Sequence, residues 1–491
     1  MNKTRKIKKF PIDISKDLQK TMTNTGNLGN DLYVKKLIFD KSKVKEVNVT
    51  WDFENLKQGI LSKISPRLYS WYHENTSSAG DSTFAAINSY LQYRFLPNYL
   101  NPKPFSINKE ITLHSTDLGI TKINSIIPFF TAPYGCASEY GGKSNEISTM
   151  LGTVKGGGIY TMACFGEYTI EYLYDILKKN TKEQNPFFMY QLYLTGDNDI
   201  NISLIERIKE HNPAVLIITI DTGRSNNHGG IGLLENKSDL TFGKKIAGTL
   251  LTDIVFNIKC YQKHNCVGTK DTTVLNKVSN YLSIPVSKLL SSYNEISSFD
   301  YAKHIQGGGM GNVYATENPN DTLGLKHIVK IAHSKKSLCK YVQRKITKGI
   351  PLVFKGCISI PVALEIQKSG ADGVYVSNHG GRFVYNSIPP LDILTDIRDS
   401  VKKKDNNFGV WFDGGIRRGS DILTAYSKGA EFVGLGRPII YACVLYGEPG
   451  VSSITKKFQF ELQSQCDICG MDDLNNYNKI KNITKIVLNH F

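Results

Sequence analysis

Eight short apolar runs, each closed by small or polar residues, constrain the fold of this 491-residue chain more than any other feature. Continuous apolar runs of this length are typical of buried parallel strands. Helix-length segments separate them, and eight strand–helix units make a (β/α)8 TIM barrel, an α/β fold. A doubly wound open sheet is the alternative, but it gathers its functional residues at one switch point, whereas polar residues follow nearly every run here. The runs are residues 129–133, 158–163, 187–193, 214–221, 351–355, 372–377, 409–413 and 431–436.

The domain organisation follows from what surrounds these runs. Residues 1–50 are polar and irregular, which predicts an N-terminal extension. Residues 51–491 would form the barrel domain, and it begins with a helical segment in which Leu56, Ile60 and Ile64 share one face. The interval 225–350, between the fourth and fifth strands, is far longer than an ordinary loop. Its glycine-rich run at 306–313 lacks the pattern of a kinase nucleotide loop, so a nucleotide-binding role is disfavoured. We therefore interpret the interval as a long loop insertion over the barrel mouth that acts as a lid.

The composition excludes several classes of protein. A hydrophobic content of 41% with 22 Phe and 26 Tyr predicts a large core. The net charge of +16 indicates a lysine-rich surface or steering of anionic ligands, and without a zinc-finger spacing or an RNP-type strand no nucleic-acid partner is predicted. No apolar run reaches the roughly 18 residues of a membrane span. Nine scattered cysteines and no signal-peptide pattern predict an intracellular protein without a metal site, cytoplasmic or, as the alternative, mitochondrial.

The sixth run ends in the turn Ser377-Asn-His-Gly-Gly-Arg382, which places a base, His379, three residues before a fixed cation, Arg382. This pairing suits proton removal from an anionic substrate. Lys355 closes the fifth run, and a buried lysine is costly unless it meets an anion. Asp221 closes the fourth run and would orient His379 and stabilise its charged form. The alternative role of Asp221 is to cap a helix with its side chain.

Two glycine- and arginine-rich loops follow the last two runs, at residues 413–418 and 434–437. In a TIM barrel these two loops frequently bind phosphate. Glycine lets backbone N–H groups approach phosphate oxygens, and arginine adds charge and a bidentate fork. Each loop alone is a weak signal, but the two in this order predict a phosphorylated ligand or cofactor.

Six segments together resemble the FMN-dependent α-hydroxy acid dehydrogenases and oxidases. The last third is most similar to the flavin domain of yeast flavocytochrome L-lactate dehydrogenase, without its haem domain. The similarity covers about residues 50–470 apart from the insertion. Its segments are Ser377–Arg382, Phe412–Asp421, Gly434–Pro438, Tyr190–Tyr193, Thr219–Asp221 and Val353–Gly356.

This resemblance implies roles for individual residues. His379 would remove the substrate α-proton with Asp221 behind it, and Tyr193 would hydrogen-bond at the substrate oxygen. Arg382, Tyr72 and His228 would contact the substrate, with Arg382 clamping its carboxylate. Lys355 would lie at the N1–O2 edge of the flavin, and Arg417, Gly415, Gly436 and Arg437 would hold the FMN phosphate. The other implied FMN contacts are Ala132, Pro133, Tyr134, Gln191, Thr219, Ser377 and Asp413.

Several positions depart from the family pattern. His228 stands where the family has a second carboxylate-binding arginine, and the loss of half of such a clamp costs about 2–5 kcal/mol of binding. Ala163 replaces a flavin-contacting serine, and Tyr385 replaces an aspartate after the histidine turn. The cofactor site is therefore nearly complete, whereas the substrate site is altered.

The leading hypothesis is an enzyme that uses FMN to oxidise an L-2-hydroxy acid, such as L-lactate, to the 2-oxo acid. One alternative is an FMN-binding barrel with lost or altered catalysis, which the changes at His228 and Ala163 motivate. Another is a different FMN barrel enzyme, such as an isomerase, which the pairing of His379 with Asp221 disfavours. The electron acceptor is open between oxygen, a quinone and cytochrome c, and the resemblance implies a homotetramer.

Overall fold

The computed structural model describes residues 53–61, 63–64, 76–98, 107–115, 118–135, 137, 142, 144–221, 248–294, 324–341, 348–382, 384 and 386–486. They all belong to the second of the chain's two units, Val47–Phe491. Two predicted substrate contacts, Tyr72 and His228, lie outside the described residues, as do the extension at 1–50 and the glycine-rich run at 306–313.

The strands form three sheets within the described residues. In chain order they are β1 Tyr93–Phe95, β2 Lys109–Ser115, β3 Gly119–Ser125, β4 Phe129–Thr131, β5 Thr161–Ala163, β6 Met189–Tyr193, β7 Leu216–Thr219, β8 Leu352–Cys357, β9 Gly373–Val376, β10 Gly409–Phe412, β11 Phe432–Leu435 and β12 Thr484–Ile486. β2 and β3 form an antiparallel hairpin, and β1 pairs with β12.

The other eight strands form a parallel sheet in the order β4-β11-β10-β9-β8-β7-β6-β5. A parallel bridge between Phe130 and Ile159, with the Thr131 amide donating to the Ile159 carbonyl at 3.0 Å, joins the two ends of that order. Each of the eight apolar runs overlaps one of these strands, with β8 extending beyond its run to Cys357, so the TIM barrel predicted from the sequence is confirmed.

Two described α-helices precede the first barrel strand, β4, and the others come after it. In chain order the α-helices are α1 Phe53–Leu61, α2 Thr76–Asn88, α3 Ser144–Lys155, α4 Ile170–Thr181, α5 Asn198–Glu210, α6 Gly248–Leu251, α7 Ile254–His264, α8 Thr272–Leu282, α9 Val286–Ser291, α10 Leu325–His333, α11 Ile360–Lys368, α12 Pro390–Lys402, α13 Gly419–Ser427, α14 Arg437–Ile468 and α15 Tyr477–Ile480. None of the described helices is both long and apolar enough to cross a membrane.

Large side chains fill the barrel interior. Phe130 packs on Tyr375 and Trp411 with ring centroids 5.6 and 5.5 Å apart, and all three residues are buried. Leu113 of the β2–β3 hairpin lies against the first residue of β10, Gly409, where a Cβ would approach its Cδ2 to 2.5 Å. The hairpin therefore closes the end at which the strands begin, and the opposite end carries the polar strand exits.

The N-terminal helical segment is present as the spacing predicts. Leu56 and Ile60 on α1 are buried, and Gly59 on the same helix lies against Leu445 of α14. Ile64 follows the end of α1 and is half-buried. The apolar face of α1 thus covers α14 at the outer side of the barrel.

The prediction of a long loop at 225–350 is wrong for its described part, which contains α6 to α10. Three of these helices, α7 to α9, enclose a small core of their own in which Ile258, Leu275 and Leu289 are buried. The apolar spacing of α8, with Leu275 and Val278 three residues apart, was present in the sequence, but the polar average of the interval obscured it. The lid interpretation stays a prediction for the remaining residues.

Buried polar contacts attach the insertion to α5. Asp253 caps α7 through the amides of Val255 and Phe256, and its other carboxylate oxygen accepts a 2.9 Å hydrogen bond from Ser203. At the end of the insertion, α10 leads into β8, and its last residue, His333, lies 2.7 Å from the buried Asp372 carboxylate. The insertion therefore extends the barrel wall, and α10 takes the place of the ordinary crossover helix.

A buried carboxyl group organises the loop between β5 and α4. Glu146 on α3 accepts hydrogen bonds from the amides of Glu167 and Tyr168, at 2.8 and 3.2 Å. Burial raises the pKa of Glu146 to about 8, although these two amide hydrogen bonds act to lower it. This loop also carries Phe165, whose ring packs on Tyr193 at a centroid distance of 5.2 Å.

We expect Glu146→Gln to stabilise the protein increasingly as the pH rises. Between the ordinary glutamate pKa of 4.5 and about 8, the folded chain holds a proton that the unfolded chain has lost, so the free energy of unfolding falls as the pH rises through this window. The glutamine oxygen still accepts both amides without that penalty. Thermal melts from pH 5 to 9 measure the difference, with the exposed Glu110→Gln as the control. A difference in Tm that does not change with pH would contradict this role.

Candidate active site

The site is built around a strained turn that follows β9. Ser377 is fully buried, and its hydroxyl accepts the amide of His379 at 3.1 Å. His379, Gly380 and Gly381 then take left-handed backbone conformations with φ of 56°, 65° and 77°. A histidine in this region costs energy that the surrounding structure must offset, and such residues cluster at functional sites. The turn aims the imidazole back over the barrel mouth.

Two side chains from different parts of the barrel, Asp221 and Tyr193, contact the imidazole of His379. Its Nδ1 lies 2.7 Å from Asp221 Oδ1, and its Nε2 lies 3.2 Å from the hydroxyl of Tyr193. Tyr193 ends β6, and Asp221 comes two residues after β7. When the carboxylate accepts from Nδ1–H, Nε2 carries the lone pair and accepts from Tyr193. The imidazole is therefore oriented as a base whose unprotonated nitrogen, Nε2, faces Tyr193.

Burial sets the charge state of this pair. Burial lowers the pKa of His379, and Lys355 and Arg382 lower it further, while the Asp221 carboxylate raises it. The net pKa lies below the ordinary histidine value of 6.5. Burial acts to raise the pKa of Asp221, but His379 and then Lys355 more than offset this, and the net pKa is lowered. The pair consists of a neutral imidazole and a carboxylate at neutral pH.

Lys355 links the histidine turn to the next strand. Its ammonium donates to the Ser377 hydroxyl at 2.9 Å and lies 3.6 Å from the Asp413 carboxylate, which follows β10. The lysine is only 4% exposed. On the two preceding barrel strands, β6 and β7, the Gln191 amide donates to the Thr219 hydroxyl at 2.9 Å, and Thr219 pairs in register with Lys355. These predicted cofactor residues all lie on the same rim of the barrel.

Three arginines are concentrated beside the turn. A guanidinium nitrogen of Arg382 donates to the His379 carbonyl at 2.8 Å, and one of Arg437 donates to the Gly380 carbonyl at 3.0 Å. Burial lowers the pKa of Arg437 to about 9, and the charges of Arg382 and Arg417 contribute to this lowering. Arg437 is a buried cation with two further positive charges close to it, and this arrangement indicates a binding site for an anion.

Glycines shape the two predicted phosphate loops beside this cluster. Gly415 takes a positive φ of 75°, and the amide of Arg417 donates to Asp421 at 2.8 Å. At Gly436, which follows β11, an added Cβ would meet no described atom within 4 Å. Alanine or a larger residue would project into that open space, so glycine keeps it accessible.

Residues 132–134 continue from β4 along the same rim. The Ala132 amide donates to the Leu435 carbonyl at 3.0 Å, and the Tyr134 hydroxyl lies 2.5 Å from that of Thr149. Pro133 between them is half-buried. The backbone here is held in place, as contact through main-chain atoms requires.

The contacts that α2 makes with the site are not apparent from the sequence. Thr83 on this helix donates to the Gly380 carbonyl at 2.8 Å, and Arg437 donates to Thr83 at 3.4 Å. Tyr90, in the 3-10 turn that follows, donates to the Gly414 carbonyl at 2.8 Å. The helix therefore braces both the histidine turn and the first phosphate loop. Small polar residues in a serine-rich helix carry no signal of this in the sequence.

Comparison with known proteins identifies the family. A family model described as FMN-dependent dehydrogenase matches residues 62–482. The chain belongs to this family. The L-lactate oxidase of Lentilactobacillus hilgardii is 27% identical to this FMN-dependent dehydrogenase over 354 residues, which are 72% of this chain and 75% of the relative. The L-lactate dehydrogenase (cytochrome) of Saccharomyces cerevisiae is 34% identical over 133 residues, 27% of this chain and 22% of the relative.

Solved structures agree on the fold. A lactate oxidase of Pediococcus acidilactici matches this FMN-dependent dehydrogenase with a TM-score of 0.57, over 90% of this chain and 96% of that chain, at 20% identity. A mutant flavocytochrome b2 matches with a TM-score of 0.56 at 18% identity. The family resemblance and the FMN cofactor expected from the sequence are confirmed.

The residues present fit FMN. The phosphate is a dianion, and Arg437, whose pKa is lowered by burial among other cations, lies beside the open space at Gly436. Lys355 supplies a buried cation at a second place on the rim, where an anionic reduced ring would be stabilised. The assignment of individual residues to parts of the cofactor remains a prediction.

We expect Arg437→Gln to weaken FMN binding by about 2–5 kcal/mol, because a buried cation that pairs with the phosphate is lost. Affinity for riboflavin, which lacks the phosphate, should change little. Equilibrium titration of flavin fluorescence against the cofactor-stripped protein measures both, with the exposed Arg94→Gln as the control. Equal losses for FMN and riboflavin would show that Arg437 does not serve the phosphate.

Proposed function

We propose that this FMN-dependent dehydrogenase oxidises an L-2-hydroxy acid of the size of L-lactate to the corresponding 2-oxo acid. The observation that carries the proposal is the contact of His379 with Asp221 on one nitrogen and Tyr193 on the other, at 2.7 and 3.2 Å. A base oriented on both sides and kept neutral by burial is suited to remove a proton from a weakly acidic carbon or hydroxyl group. The names of the relatives, which include L-lactate oxidases, support this substrate class.

Each residue at the mouth has a part in this reaction. Arg382 binds the substrate carboxylate, which places the α-carbon next to His379. His379 removes the α-proton at Nε2, and the Asp221 carboxylate stabilises the imidazolium that results. Tyr193 donates to the substrate hydroxyl oxygen. When bound, FMN would supply the acceptor for the two electrons and for the second proton, which comes from the substrate hydroxyl group. Tyr72 and His228 remain predicted substrate contacts outside the described residues.

Anaerobic addition of L-lactate and other L-2-hydroxy acids to the FMN-loaded protein should bleach the flavin absorbance, whereas the D-enantiomers should not. His379→Gln should keep the flavin but slow this reduction by about 10²–10⁴-fold, because the proton acceptor is lost. The exposed His327→Gln is the matched control. Stopped-flow absorbance measures the rates. Reduction of the His379→Gln protein at the normal rate would remove His379 from the reaction.

The acid limb of kcat/KM should lie below pH 6.5, because burial lowers the pKa of His379 and the neutral form therefore persists to lower pH. Activity is lost as the pH falls through that lowered pKa. In Asp221→Asn the limb should move lower still, since the carboxylate that raises the pKa of His379 is gone, and the rate should fall at every pH. An acid limb of kcat/KM that moves to higher pH in Asp221→Asn would contradict the pairing of Asp221 with His379.

The alternative is an FMN barrel with lost or altered catalysis. Ala163 ends β5 at the mouth, where the family pattern has a flavin-contacting serine, and His228 replaces an arginine of the pattern. The same spectra decide between the two functions. A flavin spectrum that no hydroxy acid bleaches would favour the alternative, and restoration of bleaching by His228→Arg would assign the loss to that residue.

A further inference from the structure

Strand β8 carries a bulge next to the site. Lys355 pairs with Tyr375 of β9 and Cys357 pairs with Val376, so the register shifts and Gly356 is the extra residue. Gly356 has a φ of 104°, in the region that side chains other than glycine rarely adopt. Bulges of this kind re-aim neighbouring side chains and are frequent beside active sites.

The extra residue lies against the Asp221 carboxylate. A Cβ built on Gly356 would be 2.4 Å from the Cγ of Asp221 and 2.5 Å from its Cβ and its Oδ2. These separations are too short for any real carbon contact, so a side chain at 356 and the present position of Asp221 exclude each other. Asp221 cannot move without lengthening the 2.7 Å contact of its Oδ1 with His379.

Hydrogen bonds on both sides hold Gly356 in place. The carbonyl of Lys355 accepts the Ile220 amide at 2.9 Å, and the carbonyl of Cys357 accepts the Ser377 amide at 3.3 Å. The ammonium of Lys355 also donates to the hydroxyl of Ser377. Because the backbone at 356 is fixed from two neighbouring strands, a side chain added there would displace the carboxylate rather than the strand.

We propose that Gly356 is a positioning residue for the proposed reaction: its bare Cα forms the surface on which the Asp221 carboxylate rests, and this holds the carboxylate against His379. The inference rests on the proposed roles of Asp221 and His379. The inference adds that the identity of residue 356 controls the distance between Asp221 and His379, although Gly356 contacts neither the substrate nor His379.

The test compares Gly356→Ala with Gly157→Ala in the FMN-loaded full chain. Gly157 has a similar positive φ of 87°, but a Cβ there would meet no described atom within 4 Å. The control therefore carries the backbone strain without the contact. We expect Gly356→Ala to lower kcat for an L-2-hydroxy acid by about 10²-fold or more with a smaller change in KM, and Gly157→Ala to leave kcat unchanged. A double variant with Asp221→Asn should lose little beyond Asp221→Asn alone.

A second readout does not need turnover. In protein labelled with ¹⁵N-histidine, the His379 ring signals are assigned by their absence in His379→Gln, and their titration gives the pKa. We expect the pKa of His379 to fall in Gly356→Ala as it does in Asp221→Asn, and to stay unchanged in Gly157→Ala. If no hydroxy acid reduces the flavin, the proposed function fails, but this titration still decides the positioning role.

Two results would overturn the inference. One is a Gly356→Ala protein whose His379 titration equals that of the unaltered chain. The other is a loss of kcat that adds in full to the loss in Asp221→Asn. Should Gly356→Ala not fold, combining it with Asp221→Gly, which removes the Cβ as well as the carboxylate at position 221, should restore folding, because nothing would then overlap the added Cβ. A double variant that also does not fold would contradict the proposal.

Discussion

Positive charge buried at one rim of the barrel is the constraint on which the rest of the site depends. Arg437 lies beside two further arginines, and Lys355 is buried nearby, so like charges oppose one another where water is excluded. An anion bound among them relieves this repulsion. A phosphorylated cofactor and the carboxylate of the proposed substrate would both satisfy that condition.

The barrel brings this cluster together because the carboxyl ends of parallel strands converge. His379 reaches Tyr193 across 186 residues of chain and Asp221 across 158. Local distortion completes the geometry: His379 has a left-handed backbone, and Gly356 is an extra residue in β8. Both distortions are tolerated because the strands on either side are hydrogen-bonded and packed. The rigid scaffold thus maintains a strained site that a loop alone would not keep.

A second layer of structure supports the rim from outside. Helix α2 contacts the histidine turn through Thr83, and the 3-10 turn after it contacts the first predicted phosphate loop through Tyr90. On another side, Glu146 holds the β5–α4 loop, and Phe165 of that loop packs on Tyr193. Insertion helix α6 begins against the same loop, with the Gly248 amide donating to the Gly166 carbonyl. The insertion therefore adjoins the loop whose Phe165 packs on Tyr193. This packing connects the insertion to the candidate site.

The sequence by itself determined the barrel and predicted the place of the site, because eight apolar runs and their polar exits are local patterns. His379, Arg382 and Lys355 were candidates since each closes or follows a strand. The helices of the insertion were obscured by the polar average of the interval, although α8 has helical apolar spacing. The contacts of Thr83 and Glu146 were not recognisable, since they join distant segments and leave no local pattern. Only the tertiary structure decided that Gly356 touches Asp221, because a register shift between two strands sets that distance and residue order alone does not specify it.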